Sequence, residues 1–275
     1  MIMFADDSTA IFTDNNAGNY ENDLNYSLDS IINWLQNNNL NINLDKTHIM
    51  TFKNINTKFD ILKINYRGKN IDEIQETKFL GINIDSKLSW TSHIERVCTK
   101  LNQFSFALHM LRKVANEKAL LSAYHAYVGS TLKYGVLFWA NSTEKETAFK
   151  AQKKCIRAIC GLTQRDSCKP YFQKLNLLTL PSVYIFEAAL LVKNNLENYS
   201  TLTVKRHNNI LRLPKCRLAL YNRSIFVKRV EIYNKLPQTL KDVQNINIFK
   251  FNLKRFLIAK TYYSIDEFLK ENSKM

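Results

Sequence analysis

The sequence predicts an α+β fold in which a small mixed region precedes a mainly helical one. Residues 1–90 alternate short β-like apolar runs with a single helical segment, whereas residues 91–199 carry apolar residues at helical spacing. Residues 200–275 are basic and contain two amphipathic segments. With only 6 Gly and 4 Pro in 275 residues, the chain favours long helices with few sharp turns, and its length suffices for one large domain or two small ones.

The first predicted element is a β-hairpin. The apolar runs Met1–Phe4 and Thr9–Phe12 flank the polar sequence Asp6-Asp7-Ser8. This pattern is typical of two strands that are joined by a polar tip. The predicted tip therefore carries two adjacent carboxylates.

A helix and three further strands are predicted after the hairpin. The helix extends from Tyr20 to Gln36, and the run Asn37-Asn38-Asn39 ends it. Its apolar residues recur at spacings of four, three and four, at Leu24, Leu28, Ile31 and Leu35. The predicted strands are Thr47–Phe52, Ile61–Tyr66 and Thr77–Ile84.

Longer helices are predicted beyond residue 90. One apolar stripe consists of Ile94, Val97, Leu101, Phe104, Leu108 and Leu111. Phe149–Ile159 continues this pattern, and the two amphipathic segments of the basic region are Arg223–Leu236 and Ile246–Ile258. The periodicity predicts packed helices over both regions.

Composition excludes several classes of protein. Hydrophobic residues make up 45% and charged residues 23%, which excludes a disordered chain, and no apolar run approaches the roughly 20 residues that span a bilayer. Residues 1–7 lack the basic start of a secretory signal, so we expect an intracellular protein, in the cytoplasm or nucleus, with reduced cysteines. No Cys-x₂-Cys pair occurs among Cys155, Cys160 and Cys168, and no zinc is expected.

The charge of the chain is distributed unevenly. Lys and Arg number 39 and Asp and Glu 24, which gives a net charge of +15. Residues 1–60 carry 3 basic and 8 acidic side chains, residues 61–200 carry 20 and 11, and residues 201–275 carry 16 and 5. An acidic start before a basic body suits a protein that holds a divalent metal at one end and a polyanion along the rest. The alternative is that the lysine-rich surface serves only solubility.

Asp6 and Asp7 are the candidate metal ligands. Neighbouring residues of a β-ribbon point to opposite faces, so normally only one of the two side chains reaches a shared metal directly. Carboxylate oxygens are the ligands that Mg²⁺ or Mn²⁺ prefers, and two such ions can flank an in-line phosphoryl transfer. Asp-Asp-Ser is also a common turn composition, and as a plain turn it would bind no metal.

Three motifs together resemble a known family. Phe4-Ala5-Asp6-Asp7 resembles the aromatic-x-Asp-Asp box of reverse transcriptases. The segment Leu40–Phe52, which contains Asn43 and Lys46-Thr47, resembles the Leu-x-x-Asn-x-x-Lys-Thr segment that follows this box in non-LTR retrotransposons. Lys78-Phe79-Leu80-Gly81 resembles the primer-grip segment of the same branch. In order and spacing, the motifs are similar to those of the reverse transcriptase of a jockey-like non-LTR retrotransposon.

The resemblance implies an RNA-directed DNA polymerase, which is a nucleotidyltransferase, and implies a role for each matched residue. Asp6 would ligate the catalytic Mg²⁺ or Mn²⁺, and Asp7 would be its less direct partner. Lys46 would approach the nucleotide phosphates, where an ammonium can neutralise or protonate the leaving pyrophosphate; the alternative is an ordinary exposed lysine. The primer grip would consist of Phe79, Leu80 and Gly81, for which the alternative is a plain buried strand.

The resemblance also implies how the chain is divided. Residues 1–90 would be the carboxy-terminal part of a polymerase palm, residues 91–199 a helical thumb or connection region, and residues 200–275 a basic carboxy-terminal helical segment. The expected partners are an RNA template, a DNA primer and deoxynucleotides, with no membrane. The cations that we expect to contact phosphates are Lys153, Lys154, Arg157, Arg223, Lys228, Arg229, Lys254 and Arg255.

One part of the family pattern has no match in this sequence. A reverse transcriptase palm takes its first carboxylate from a strand well before the Asp-Asp box, and fingers before that box grip template and nucleotide. The sequence starts five residues before Asp6, so we expect a fragment, from a truncated element copy or an incomplete gene model, that is inactive alone. The alternatives are a non-catalytic nucleic-acid-binding module and a decayed element protein without activity.

Overall fold

The computed structural model describes residues 2–4, 7–13, 20–52, 64–66, 69–200, 210–214 and 217–271. Over these residues the protein is an α+β structure that is mostly helical with short antiparallel strand pairs, so the predicted fold class is confirmed at this level. The chain forms two compact units, Met1–Leu88 and Ser89–Met275. In the part of the chain that the structure describes, no helix is both long enough and apolar enough to cross a membrane.

The first unit begins with the predicted hairpin, but the second strand starts earlier than expected. β1 (Ile2–Phe4) pairs with β2 (Asp7–Thr9) in antiparallel register, with Phe4 opposite Asp7. Asp7 therefore belongs to a strand, and the prediction of a strand over Thr9–Phe12 was wrong.

The predicted helix is confirmed as α1 (Tyr20–Asn37). Its buried side chains include Ile32 and Leu35. The helix ends where Asn39 adopts a left-handed backbone with a φ of 56°, and the Leu40 N–H donates to the Leu35 carbonyl at 2.8 Å. Asparagine tolerates this conformation better than most residues, which explains why the asparagine run ends the helix.

The single strand predicted over Thr77–Ile84 is in fact a hairpin. β5 (Glu76–Phe79) and β6 (Ile82–Asp85) pair antiparallel, with Phe79 opposite Ile82. The chain reverses at Leu80 and Gly81, whose φ angles of 46° and 82° are typical of a type I′ turn. Glycine is the residue that adopts such angles without strain, so Gly81 favours the reversal at this point.

The two other predicted strands, Ile61–Tyr66 and Thr47–Phe52, have different outcomes. β3 (Ile64–Tyr66) pairs with β4 (Lys69–Ile71), and residues 61–63 lie outside the described part of the chain. The strand predicted over Thr47–Phe52 was wrong, because only Ile49 forms a bridge there, parallel to Glu73. These segments share a small core of Leu24, Ile64 and Ile71, against which pack Phe12, Leu28, Leu44 and Ile49.

The described part of the second unit is helical. A continuous run from residue 117 to residue 133 contains α3, a π-helix and α4. In chain order the helical segments are α2 (Thr91–Leu111), α3 (Glu117–Ala123), the π-helix Tyr124–Gly129, α4 (Ser130–Lys133), α5 (Val136–Trp139), α6 (Lys145–Cys160), α7 (Lys169–Lys174), α8 (Leu180–Asn194), α9 (Leu196–Ser200), α10 (Ala219–Arg223), α11 (Ile225–Asn234), α12 (Gln238–Lys241), α13 (Ile246–Lys260) and α14 (Ile265–Glu271).

The helices of the second unit share one hydrophobic core. α2 packs along α6, and α8 packs against α4, α5, α11 and α13. The apolar stripe predicted for α2 is confirmed at its buried members Ile94, Val97, Leu101 and Leu108, while Phe104 and Leu111 are partly buried. Side chains of α11, α13 and α14 belong to the same core, so the basic region of the sequence packs with the helices that precede it.

Candidate catalytic and nucleic-acid-binding sites

The predicted metal-binding hairpin presents one described carboxylate. Asp7 lies on β2 opposite Phe4, and both side chains are exposed to solvent. Asp6, the expected metal ligand, lies outside the described residues. Among the residues that the structure describes, no group of three or more His, Cys, Asp or Glu could hold a metal ion. An exposed carboxylate such as Asp7 suits one oxygen ligand of Mg²⁺, and the metal role of Asp6 and Asp7 stays a prediction.

Lys46 is displayed by a locally stabilised turn. It ends a 3₁₀ turn, Leu44–Lys46, and its side chain is exposed. The Asn43 side chain accepts a hydrogen bond from the Asp45 N–H at 3.1 Å, and the Asn43 carbonyl accepts one from the Thr47 hydroxyl at 2.8 Å. Asn43 therefore caps the turn from both directions, which gives the spacing Asn-x-x-Lys-Thr a structural reason.

The predicted primer-grip residues lie at the tip of the β5–β6 hairpin. Gly81 is exposed, while Phe79 and Leu80 are half-buried. A leucine with a φ of 46° is in a strained backbone conformation, and such strain persists where surrounding structure imposes it. The hairpin is stabilised behind its tip, where the buried Asn83 donates through Nδ2 to Glu76 Oε1 at 2.6 Å.

The small core of the first unit connects the segments that carry the motifs. Phe12 follows the Asp7 strand, and Leu44 belongs to the turn that displays Lys46; both pack against the same buried residues. Ile49 packs there too, and its backbone bridges Glu73, three residues before β5. The segment after the Asp-Asp box and the segment that contains Lys46 therefore pack against one small core. The primer-grip hairpin is linked to that core through the backbone bridge between Ile49 and Glu73.

Two of the α6 lysines differ in how much of their charge is presented to solvent. The Lys153 Nζ lies 4.7 Å from the centroid of the Phe149 ring and 5.4 Å from that of Tyr263. It is therefore held by cation–π contacts on a partly buried surface. Lys154 is exposed, and its Nζ donates to Asn102 Oδ1 at 3.2 Å. An exposed lysine with one neutral partner can exchange that partner for a phosphate.

Arg157 stabilises the loop that follows α6. Its Nε donates to the Thr163 carbonyl at 3.1 Å and its Nη2 to the Asp166 carbonyl at 3.2 Å. The Asp166 carboxylate in turn accepts from the N–H and hydroxyl of Thr163 at 2.7 and 2.8 Å, and these bonds, with Arg157 nearby, lower the pKa of Asp166. The guanidinium is thus directed to backbone carbonyls, and its predicted phosphate contact would compete with them.

Arg223 and Lys228 differ in whether their charge is already paired. Arg223 is exposed at the end of α10, and its backbone carbonyl accepts from Asn141 Nδ2 at 2.9 Å. The Lys228 Nζ forms a 2.6 Å ion pair with Glu231 Oε2, one turn further along α11. The guanidinium of Arg223 therefore faces solvent as a side-chain charge, whereas the charge of Lys228 is already neutralised.

Arg229 lies between two aromatic rings. Its guanidinium carbon is 5.4 Å from the Tyr199 ring centroid and 5.1 Å from that of Phe226. The Arg229 Nε is buried without a hydrogen-bond partner among the described residues. This packing holds α11 against α9 and leaves the guanidinium partly covered.

The solvent face of α13 combines cations with an aromatic ring. Lys254 and Arg255 are exposed, as sequence analysis expected of phosphate-binding residues, and so is Lys250 one turn earlier. Phe251 is 61% exposed, and the Arg255 guanidinium carbon lies 5.5 Å from its ring centroid. The prediction named Lys254 and Arg255 but missed Lys250, although its spacing of four residues from Lys254 places both on one helical face.

A groove beside α13 was also missed. It has a volume of about 350 Å³ and lies between α4, α5, α8 and α13. Its apolar lining consists of Leu137, Phe186, Leu190 and Leu191. Lys133 and Lys250 line it from α4 and α13, together with Glu187 and Asn194 of α8. No sequence pattern relates Lys133 to Lys250, because the packing of α4 and α13 on α8 brings them to one groove.

Two histidines of the second unit favour their neutral forms. Burial, with Lys100 and Arg96 nearby, lowers the pKa of His93. Burial and the charge of Lys254 lower the pKa of His125, which lies on the π-helix.

The described cysteines are ordinary thiols in partly or fully buried positions. Burial raises the pKa of Cys155 to about 12, and its Sγ donates to the Leu101 carbonyl at 3.3 Å. Burial also raises the pKa of Cys98, Cys160 and Cys168. Thiols with raised pKa values are weak nucleophiles at neutral pH, because the thiolate is the reactive form.

None of the protein-family models, curated protein sequences or solved structures that were compared with the chain matches it.

Proposed function

We propose that this chain is part of the RNA-directed DNA polymerase of a non-LTR retrotransposon. In this proposal Met1–Leu88 contributes to the palm and Ser89–Met275 holds template and primer. The observation that carries the proposal is that two motifs of the family coincide with antiparallel strand pairs. Phe4 pairs with Asp7 in the Asp-Asp box, and Leu80 and Gly81 form the tip of the β5–β6 hairpin in the primer-grip motif.

The chemistry that follows uses three side chains of the first unit. Asp6 would hold Mg²⁺ through a carboxylate oxygen, with Asp7 as its less direct partner, and the bound metal would supply charge stabilisation to the phosphoryl transfer. Lys46, exposed at the end of its 3₁₀ turn, neutralises charge on the leaving pyrophosphate. Catalysis by two ions needs carboxylates that converge from separate strands, so this hairpin requires a further carboxylate to complete the site.

The β5–β6 tip suits a primer contact because of its backbone. A type I′ turn exposes the peptide groups of its two central residues, and Gly81 adds no Cβ that would keep a nucleic-acid strand away. Phe79, the residue before this turn, is half-buried. The backbone at Leu80-Gly81 then fixes the primer terminus by shape rather than by sequence.

The test is photo-crosslinking with a DNA primer annealed to an RNA template. A photoreactive base at the primer 3′ terminus should crosslink to the tryptic peptide Phe79–Lys87, which begins with the primer-grip residues. The matched control carries the same base about ten nucleotides from the 3′ end, where one turn of the duplex separates it from the tip. That internal base should crosslink to Ser89–Met275 instead. Crosslinks of the terminal base only within Ser89–Met275 would contradict the proposal.

A second candidate function is a nucleic-acid-binding module without catalysis. It is favoured by the exposed cations Lys154, Arg223, Lys254 and Arg255 on a chain of net charge +15. Such a module would bind duplexes through their phosphates, with similar affinity for unrelated sequences and strong dependence on salt. It would show no catalytic contribution from Asp6 or Asp7.

Variants of two neighbouring cations of α6 test whether binding depends on particular phosphate contacts or on the net charge of the chain alone. Lys154→Ala should reduce the slope of log affinity against log salt by about 0.9, because one phosphate contact is removed. Arg157→Ala removes the same charge from the next turn, but that guanidinium is bound to carbonyls, so the slope should stay close to that of the unmodified chain. Filter binding of an RNA–DNA hybrid measures both. Equal slopes for the unmodified chain and Lys154→Ala would exclude α6 from the binding surface.

A further inference from the structure

The groove between α4, α5, α8 and α13 has the dimensions and lining of a ligand site. Its volume of about 350 Å³ falls within the range of roughly 300–1,000 Å³ found for ligand pockets. Leu137 and Phe186 contribute to its apolar lining, and both are partly accessible to solvent. The groove lies wholly within the second unit, and its walls belong to helices that pack against α8.

Cations predominate around this groove. Among its lining residues, Glu187 is the single carboxylate, and its Oε1 is 3.0 Å from the Lys133 Nζ, so these two charges neutralise each other. Lys250 has no carboxylate partner among the described residues, and Lys254 lies one turn further along the same exposed face of α13. Lys133 keeps 62% of its side chain exposed while paired, so it remains accessible to an incoming anion. An occupant of this groove therefore encounters an excess of positive charge.

We propose that this groove binds a single-stranded nucleic acid, with bases against the apolar lining and phosphates at Lys250 and Lys254. An apolar lining beside a row of cations fits single strands, because their bases are exposed and can stack on aromatic side chains such as Phe186. In a duplex the base faces are stacked inside, so only the phosphates would meet the groove. An acidic peptide could pair with the lysines, but it offers no planar base to the lining.

The inference is independent of the primer-grip assignment. It uses residues of the second unit alone, and it requires neither Asp6, Asp7 nor polymerisation. The two proposals can therefore fail separately: a strand bound in the groove is compatible with a primer terminus that crosslinks elsewhere.

The exposed Phe251, covered on one side by Arg255, offers a further stacking surface on the next face of α13.

The first experiment measures how affinity for oligouridine depends on salt. A labelled RNA of about 15 nucleotides is titrated with the 275-residue chain, and fluorescence anisotropy gives the affinity. Each phosphate contact to a single strand contributes about 0.7 to the slope of log affinity against log salt. Two such contacts therefore weaken binding by a factor of roughly seven when the salt concentration rises from about 50 to 200 mM. In the Lys250→Ala, Lys254→Ala double variant, the loss of affinity over this range should be about sevenfold smaller.

The matched control removes two exposed lysines elsewhere in the second unit. Lys113→Ala, Lys118→Ala has the same net charge as the groove variant, and neither residue lines the groove. Its salt dependence should equal that of the unmodified chain. Asn194 is exposed and lines the groove, so Asn194→Glu should weaken RNA binding and Asn194→Arg should strengthen it, without a change in the core. Equal salt dependence in the groove and control variants would overturn the proposal.

A second measurement tests the role of the bases. An abasic phosphodiester of the same length carries the same charge, and it should bind at least about tenfold more weakly, because stacking of a single base contributes that much. Polyglutamate of equal charge should not displace the RNA at equal concentration. Equal affinity for the abasic strand, or displacement by polyglutamate, would show a purely electrostatic surface and overturn the proposal.

Discussion

Gln152 is the buried polar residue of α6, and it connects this helix with two neighbouring segments. Its side chain is buried, and its Nε2 donates to Tyr124 Oη at 2.9 Å and to the Leu178 carbonyl at 2.9 Å. Its Oε1 accepts from the Leu180 N–H at 2.7 Å. One side chain thus connects α6 with the π-helix and with the start of α8. Because these atoms are buried, water cannot replace the three hydrogen bonds when the side chain is removed.

Gln152→Ala should lower the free energy of unfolding by about 3–5 kcal/mol. Each buried group that loses its partner costs about 1–3 kcal/mol, and the three contributions overlap because one side chain makes them all. For a helical unit of this size, the loss should correspond to a decrease in Tm of about 10 °C. The free energy is measured by urea unfolding followed by circular dichroism, which reports mainly on Ser89–Met275 because that unit contains thirteen of the described α-helices.

Gln173→Ala is the matched control. Gln173 also donates through Nε2 to a backbone carbonyl, that of Ala259, at 2.8 Å, but its side chain is exposed. Water can replace that bond, so the cost should stay below about 1 kcal/mol. If Gln152→Ala were no more than about 1 kcal/mol less stable than Gln173→Ala, the reasoning from buried hydrogen bonds would be refuted.

Three other predictions concern catalysis, local stability and pH. The 275-residue chain should not extend a DNA primer on an RNA template with Mg²⁺ or Mn²⁺, because the site needs a further carboxylate; incorporation that is lost in Asp6→Asn would contradict this. Hydrogen exchange should show the strongest protection in Ser89–Met275, since the described core of Met1–Leu88 is small; strongest protection in the β1–β2 hairpin would be the opposite result. Because the pKa of His93 is lowered on folding, the unfolded chain binds the proton first, so stability should fall as pH decreases below about 6.5. Urea midpoints should show that His93→Gln removes part of this dependence.

The sequence predicted those elements whose signal is local. The apolar spacing of α2 predicted its buried face, because one helix presents the same residues to any core that covers it. The prediction of one strand over Thr77–Ile84 rested on its apolar and β-branched residues and gave no weight to Gly81, at which the chain reverses between β5 and β6. The strand predicted from Thr47 was wrong for a similar reason: β-branched and apolar residues occur there, but only Ile49 finds a backbone partner.

The candidate binding residues illustrate what charge counting omits. Lys154 and Arg157 lie three residues apart on α6, and the sequence treats them as equivalent cations. In the structure one donates to a single exposed amide, while the other holds two carbonyls of the following loop. That difference depends on how residues 163–166 fold against Arg157, and the sequence of α6 alone does not show this. A charge on a helix is therefore a candidate for a phosphate only after its intramolecular partners are known.

The lining of the groove, like the partners of the α6 cations, depends on residues that are far apart in sequence. Lys133 and Lys250 come from helices that are distant in sequence, and they meet because both α4 and α13 pack on α8. Along α8, buried residues such as Ala188 and Ala189 alternate with residues that line the groove. Leu190 belongs to both sets, because it is buried and also part of the lining. A helix that is apolar on most faces, such as α8, predicts burial from its sequence but not which of its faces remains open. Lys250, which has no carboxylate partner in the part of the chain that the structure describes, lies beside that open face, and this placement becomes visible only when the four helices are assembled.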